Sequence, residues 1–201
     1  MKLAICWSVG VLLLGACSPQ VPLNQPQRSA QQQRDTIVVS ADTGFALIAQ
    51  QTVCDHPMLA EALRNPQLSD LAAYDLMHHA LTNALLERGL AYQSKASESC
   101  DYWLAFAIPS SQQLSDLQLM SLFGVSPGLA DDGNQDFQRA TLYLSLYQPG
   151  SGRPSWQLSM QAFAAVEIDQ QGRRKLKLKP EGVDYVINRI FAHLKVDVIR
   201  P

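Results

Sequence analysis

Residues 141–156 read TLYLSLYQPGSGRPSW, and the fold class turns on this stretch. Leu142, Leu144 and Leu146 alternate with Tyr143, Ser145 and Tyr147, the period of two that sends successive side chains to opposite faces of a sheet. The proline, glycine and serine cluster at 149–154 cannot continue a strand and reverses the chain. A second strand therefore starts near Trp156 and runs towards Ile168. Asp169-Gln170-Gln171-Gly172 turns it back into Lys175-Leu176-Lys177-Leu178-Lys179.

Working outward, Val183, Val186, Ile187, Ile190, Phe191 and Leu194 form one apolar stripe of a C-terminal helix. On the other side, residues 102–108 make a short apolar strand. Before it lies the strongest helix pattern in the chain: Ser69 as cap, then Leu71, Tyr74, Met77 or His78, Leu81 and Leu85, stopped by Gly89. Residues 36–40 are β-branched and open the domain as a strand, and residues 45–53 continue it or form a second strand after the Asp42-Thr43-Gly44 turn. Runs of strands with few helices between them predict an α+β domain: a largely antiparallel four- to five-stranded sheet, two main helices packed on one face, and a short inserted helix.

That inserted helix lies within residues 114–129. Ser115 and Gln118 fit a capping box and Gly124 fits a helix stop. Leu114, Leu117, Met120 and Phe123 line one side, while Leu119 and Leu122 extend the apolar surface beyond one stripe. Two readings stand open. The segment caps the sheet as core, the commoner fate of such residues, or Leu117, Leu119, Met120, Leu122 and Phe123 form an apolar surface for a partner or a lipid.

The N-terminus carries an address. Lys2 precedes an apolar run at 3–14 broken only by Ser8 and Gly10, the form of a signal peptide. A membrane-spanning helix needs about 20 apolar residues, so this run is too short to be one. Leu14, Gly15, Ala16 and Cys17 have the form of a lipobox, with cleavage after Ala16 and lipid added to Cys17. Three regions follow: 1–16 as signal peptide, 17–35 as lipidated cysteine and flexible Gln/Pro-rich tether, and 36–201 as a single α+β domain. As a coil of about 18 residues the tether reaches about 25 Å. Ser18 stands where an aspartate would resemble an inner-membrane retention signal. The likeness to Gram-negative lipoproteins thus implies the outer membrane, lipid-anchored through Cys17 and facing the periplasm.

Cys6 leaves with the signal, so Cys54 and Cys100 remain in the folded part. In an oxidising compartment they can form one disulfide; two buried free thiols are the alternative. No histidines stand at ligand spacing beside them to suggest zinc. A formal net charge of −2 suggests no nucleic-acid partner.

Further out, a helix ends in Leu86-Glu87-Arg88-Gly89-Leu90 and is followed by Cys100-Asp101-Tyr102-Trp103-Leu104-Ala105. A later strand, turn and Trp156 strand lead into a C-terminal amphipathic helix. This order resembles the bacterial lipoproteins grouped as domain of unknown function 4136 (DUF4136), over residues 36–194. Leu90 stands where that family more commonly has an aromatic, and the first strand lacks its Asp-Tyr-rich start. The resemblance implies the fold and an envelope location, and brings no catalytic residues with it.

Chemistry is sparsely signalled. Gly124-Val125-Ser126-Pro127-Gly128 matches the letters of a nucleophile elbow, but Pro127 lacks the backbone N–H that would serve the oxyanion. His78 and His79 are adjacent on a helix and point about 100° apart. Asp75 and His79 are suitably spaced, yet two ligands do not make a metal site. Arg173, Arg174, Lys175, Lys177 and Lys179 form a basic run, read either as a face for anionic headgroups or acidic polymer or as an edge strand protected by lysines. The expectation is a non-enzymatic accessory or binding module of the envelope with no catalytic set, metal or cofactor, partnered by an envelope protein or lipid. Two alternatives remain: a lipid or hydrophobic-ligand binder, which an apolar cavity would support, and an envelope hydrolase using His56, His193 or Asp101 brought together in space.

Overall fold

A computed structural model describes residues 35–110, 113–124, 127–130 and 136–197. The signal segment, the lipobox with Cys17, the tether to residue 34, and Val125 and Ser126 of the elbow-like pentapeptide lie outside the described residues.

The hairpin of residues 137–168 is the centre of the molecule. Strands β6 (Phe137–Tyr147) and β7 (Trp156–Ile168) pair antiparallel from Phe137 opposite Ala165 to Leu146 opposite Trp156. Around them lie β1 (Asp35–Ala41), β3 (Thr52–Asp55), β4 (Ala91–Gln93), β5 (Tyr102–Ala107) and β8 (Arg174–Lys177). Together they form one seven-stranded sheet in the order β1-β7-β6-β5-β3-β4, with β8 also on β7.

The sheet is larger than expected, and it is mixed rather than largely antiparallel. Strand β3 runs parallel to both β4 and β5. The cause is the helical crossover between β3 and β4, which returns the chain in its original direction, as parallel pairing requires. Residues 45–53 are also not one strand. Leu47–Ile48 (β2) leaves the main sheet to pair with Val196–Asp197 (β9), and the chain bends at Gln50, whose φ is +76°, before β3 begins.

Helices cover both faces. On one, α2 (Leu71–Glu87) and α4 (Pro180–His193) bury Tyr74, Met77, Leu81, Val183, Ile187 and Ile190 against Phe106, Leu144, Leu158 and Met160. On the other, α1 (Leu59–Leu63) and α3 (Asp116–Phe123) pack on Ala105, Ala107, Tyr143 and Tyr147. Leu114, Leu119 and Phe123 of the inserted segment thus cap this face as core, one of its two readings, and Tyr143 and Tyr147 are buried beneath them.

The caps are specific. Helix α3 has the capping box of Ser115 with Gln118 and ends at Gly124 in the left-handed region, φ +70°. Helix α2 is capped by Asp70, not Ser69. One Asp70 oxygen accepts from the Ala73 N–H at 3.1 Å and the other from the Leu176 N–H of β8 at 3.1 Å. Ser69 is instead buried, donating to the Leu63 carbonyl and accepting from the Ile108 N–H. Asp70→Ala is expected to cost about 2 kcal/mol, since it removes a cap and the acceptor for a strand amide. Urea unfolding measures this, and a loss below about 0.5 kcal/mol, the level of an ordinary surface change, would contradict the double role.

Candidate functional site

The face of the sheet covered by α2 and α4 is filled with large side chains along most of its length: Leu144 and Leu146 on β6, Leu158 and Met160 on β7. Towards the far end of the hairpin they shrink to Ala140, Ala162 and Ala164. Helix α4 begins over this region with Pro180, whose fixed φ suits the first helical position, and Gly182. A Cβ built on Gly182 would meet nothing within 4 Å. Small residues on the sheet below a glycine on the helix leave an apolar cavity of about 400 Å³. Leu142, Met160 and the alanines form its floor, Ile108 and Met77 close one end, and Tyr185 and Val186 of α4 form a wall.

Two strands meet one edge of β7 beside this cavity. Strand β1 pairs with β7 as far as Ala162, and β8 takes up pairing at Ala165. Phe163 and Ala164, between them, line the cavity. Asp35, the first described residue, lies opposite Ala162 and so beside the cavity. Arg189 Nε meets Asp35 Oδ2 at 3.0 Å. The Tyr185 hydroxyl is held above its ordinary pKa by burial, then by its hydrogen bond to Asp35 and that residue's charge, with Arg189 opposing.

The rim carries the end of the basic run. Asp169 engages Arg173 at 2.8 Å and Lys175 at 3.4 Å, away from the cavity. Lys177 lies opposite Ala165 and shares with Glu167, 3.8 Å away, the face of the sheet opposite to that of Leu176 and the cavity. Leu178, Lys179 and Glu181 line the rim, and among the described residues Lys179 makes no ion pair. The run is therefore mostly local pairing around a hairpin turn, with Lys179 at the cavity.

A second concavity, polar and about 770 Å³, gathers Asp55, His56, Arg64, Tyr74, Asp75 and His78. Asp55 Oδ1 is 3.1 Å from His78 Nε2, which is 3.3 Å from the Tyr92 hydroxyl. Burial first, and then the charge of and hydrogen bond to Asp55, push the Tyr92 hydroxyl well above its ordinary range. Arg64 pairs with Asp75 across the rim at 3.0 Å. The network joins β3, α2 and β4. The disulfide between Cys54 and Cys100 lies directly behind it, next in sequence to Asp55.

The residues considered for a hydrolase do not converge. His56 lines this cleft, but its Nδ1 accepts from the N–H groups of Met58 and Leu59, both at 3.2 Å, so that nitrogen is not free as a base. Asp101 accepts from the Thr52 N–H at 2.7 Å, and His193 sits in the last turn of α4; neither lines the cleft. Among the described residues no group of three or more His, Cys, Asp or Glu could hold a metal, and no helix is long and apolar enough to cross a membrane.

His56 yields a pH prediction. Burial lowers its pKa below 6.5, against a raising backbone hydrogen bond. The unfolded chain then binds the proton more readily than the folded one, so this contribution is complete above about pH 6.5 and is lost as pH falls through the folded-state value. Urea unfolding at pH 7.5 and 5.5 should show a smaller difference in His56→Gln than in the parent chain. An equal difference would contradict the assignment.

The inserted helix divides its apolar residues between the two readings. Leu119 and Phe123 are buried, with Phe123 stacked on Tyr143 at 4.1 Å. Leu117, Met120 and Leu122 are 80%, 53% and 54% exposed. Sequence reading missed the cavity and the Asp55, His78 and Tyr92 network. The signals were present: alanines at alternate positions of an otherwise large-residue strand, and His78 one turn after Tyr74.

No family model matches this chain, and no curated protein matches it. Among solved structures it is similar to a dodecameric variant of PelC from Paraburkholderia phytofirmans, at 12% identity over 81% of this chain and 98% of that chain, with a TM-score of 0.42. A second PelC dodecamer from the same organism is 11% identical over 82% of this chain and 99% of that chain, with a TM-score of 0.41.

Proposed function

We propose that this chain is an outer-membrane-anchored periplasmic lipoprotein, resembling the domain of unknown function 4136 group, and that its folded domain is a non-enzymatic module that binds an apolar chain. The single observation that supports the binding role is the apolar cavity of about 400 Å³ between β7 and α4. That size lies in the range of small-molecule sites. At about 30 Å³ for a water-sized group it has room for roughly a dozen such groups. Burying that many methylenes at about 0.8 kcal/mol each gives roughly 10 kcal/mol, from which association takes at least about 4 kcal/mol. The net expectation is a dissociation constant on the order of tens of micromolar or weaker. The lipobox and tether supply the anchor.

The test uses the Cys17→Ala chain, purified without detergent, titrated with the apolar fluorophore N-phenylnaphthylamine. Saturable binding at one site is expected. Ala162→Leu with Ala164→Leu fills the cavity and should weaken binding at least about tenfold, the equivalent of about 1.4 kcal/mol. The unfolding midpoint should not fall. Equal binding by both chains would sink the proposal.

A further inference from the structure

We propose that the outer edge of β1 is where a second copy of this chain pairs, antiparallel and about a twofold axis at Val38, so that two sheets join into one.

The ladder with β7 fixes which groups of β1 face outward. The Asp42 N–H donates to the Ser155 carbonyl at 2.8 Å, continuing the register in which Ala41 lies opposite Trp156. Hydrogen-bonded pairs alternate along an antiparallel ladder, so Thr36, Val38 and Ser40 bond to β7, while Ile37, Val39 and Ala41 turn their N–H and C=O groups away from it. Strand β1 ends the strand order, and among the described residues none of those outward groups has a partner. Val38 and Val39, one on each face of the sheet, are 40% and 37% exposed.

Open edges are normally kept short or charged, because they template the addition of another strand. Two edges here follow that rule: β4 is three residues long, and β8 carries Arg174, Lys175 and Lys177. Strand β1 does not. It runs for seven residues, and from Thr36 to Ala41 it holds no charge, proline or glycine.

The edge fits a copy of itself better than the other strands it could meet. A foreign peptide is selected by pockets beside the edge it joins, and neither cavity described above is lined by residues 36–41. Residues 27–34, QRSAQQQR, lack the Asn-Gly or Gly-containing turn that would fold this segment back as a hairpin partner of β1. Antiparallel pairing centred on Val38 overlaps the whole strand, matches outward Ile37 with outward Val39, and sets Asp35 against Ala41. The two Val38 side chains, both β-branched, then lie directly opposite each other. Parallel pairing would instead bring Asp35 and Asp42 alongside their own copies. Within the protomer these acids already have partners, Asp35 with Arg189 at 3.0 Å and Asp42 with Arg153 at 3.6 Å. The twofold uses up both β1 edges and closes the assembly at two. One strand pair is a small interface, so the association is concentration-dependent.

The experiment uses the full chain in intact cells, carrying Val38→Cys or Ser40→Cys, with mild oxidation and a non-reducing gel; the parent chain is the control. The two Val38 Cα atoms would lie about 4.5 Å apart, within reach of a disulfide. Ser40 would lie opposite Thr36, leaving the two Ser40 positions about 14 Å apart. Val38→Cys should therefore give at least about ten times more crosslinked dimer than Ser40→Cys. Adding Val39→Pro removes an outward N–H and no bond to β7, and should abolish the dimer without lowering the unfolding midpoint. If the midpoint falls, Val39→Lys, which keeps the N–H and charges the edge, takes its place with the same expected loss. Equal dimer from both cysteine chains, a Val38→Cys dimer that survives the change at Val39, or no dimer at all would overturn the proposal. So would a Val38→Cys crosslink to a different protein.

Discussion

Replacing Cys54 and Cys100 together by alanine is expected to lower the unfolding free energy by about 4 kcal/mol, the loop-closure value for cysteines 46 residues apart. The bridge closes a loop containing α1, α2 and β4. Without it, the parallel pairing of β3 with β4 and β5 must be held by three-residue ladders on each side. Such short, non-local pairings return little for the entropy of bringing their strands together. Cys54 is fully buried and lies beside Asp55, so the loss should also loosen the network with His78 and Tyr92. Urea unfolding of the oxidised parent and the double variant gives the number. A difference below about 1.5 kcal/mol would show that the ladders and helices hold this corner without the crosslink.

The second large effect is expected at the anchor. Cys17→Ala removes the thiol proposed to carry the lipid while leaving Gly15, Ala16 and Ala at position 17, small residues of the kind an ordinary signal peptidase accepts. The product should move almost completely from the membrane fraction to the soluble periplasmic fraction, still folded. The reason for so complete a shift is additive: each acyl methylene contributes about 0.8 kcal/mol, and several chains make attachment effectively permanent. Three exposed apolar side chains on α3, Leu117, Met120 and Leu122, would bury far less than several acyl chains do. Fractionation followed by circular dichroism of the soluble protein checks both parts. Retention of the variant in the membrane fraction would mean that something other than Cys17 holds it.

The local parts of the fold were legible, and the non-local parts were not. The β6–β7 hairpin follows from alternating leucines and a proline–glycine turn, both within about fifteen residues. The inserted helix was readable because its capping box and its left-handed glycine are local devices. Helix α4 was readable because Val183, Ile187 and Ile190 recur at one helical face. Strand β3 was not, because its direction depends on which strands flank it, and a four-residue apolar run carries no trace of that. Ser69 and Asp70 are adjacent and both able to cap. Only the distant Leu176 amide, which needs a second acceptor, explains why Asp70 takes the role.

The candidate site was hidden for a related reason. A cavity is a shortage of volume, and Ala140, Ala162, Ala164 and Gly182 read singly as ordinary small residues. Their meaning appears only when β6, β7 and the first turn of α4 are superimposed. The basic run was visible, but not its division: Asp169 takes Arg173 and Lys175, Glu167 takes Lys177, and Lys179 is left at the cavity rim. The apolar residues of α3 divide likewise, Leu119 and Phe123 inward and Leu117, Met120 and Leu122 outward. One eight-residue helix with apolar residues on most sides cannot announce which of them meets the sheet.

The most direct test of the account is a native mass spectrum of the Cys17→Ala chain taken from the periplasm without detergent, beside the same chain carrying Ala162→Leu and Ala164→Leu. The account predicts a bound species with the mass of one single-chain lipid on the first and none on the second. The same bound mass on both chains would place the ligand elsewhere and contradict the assignment of this cavity.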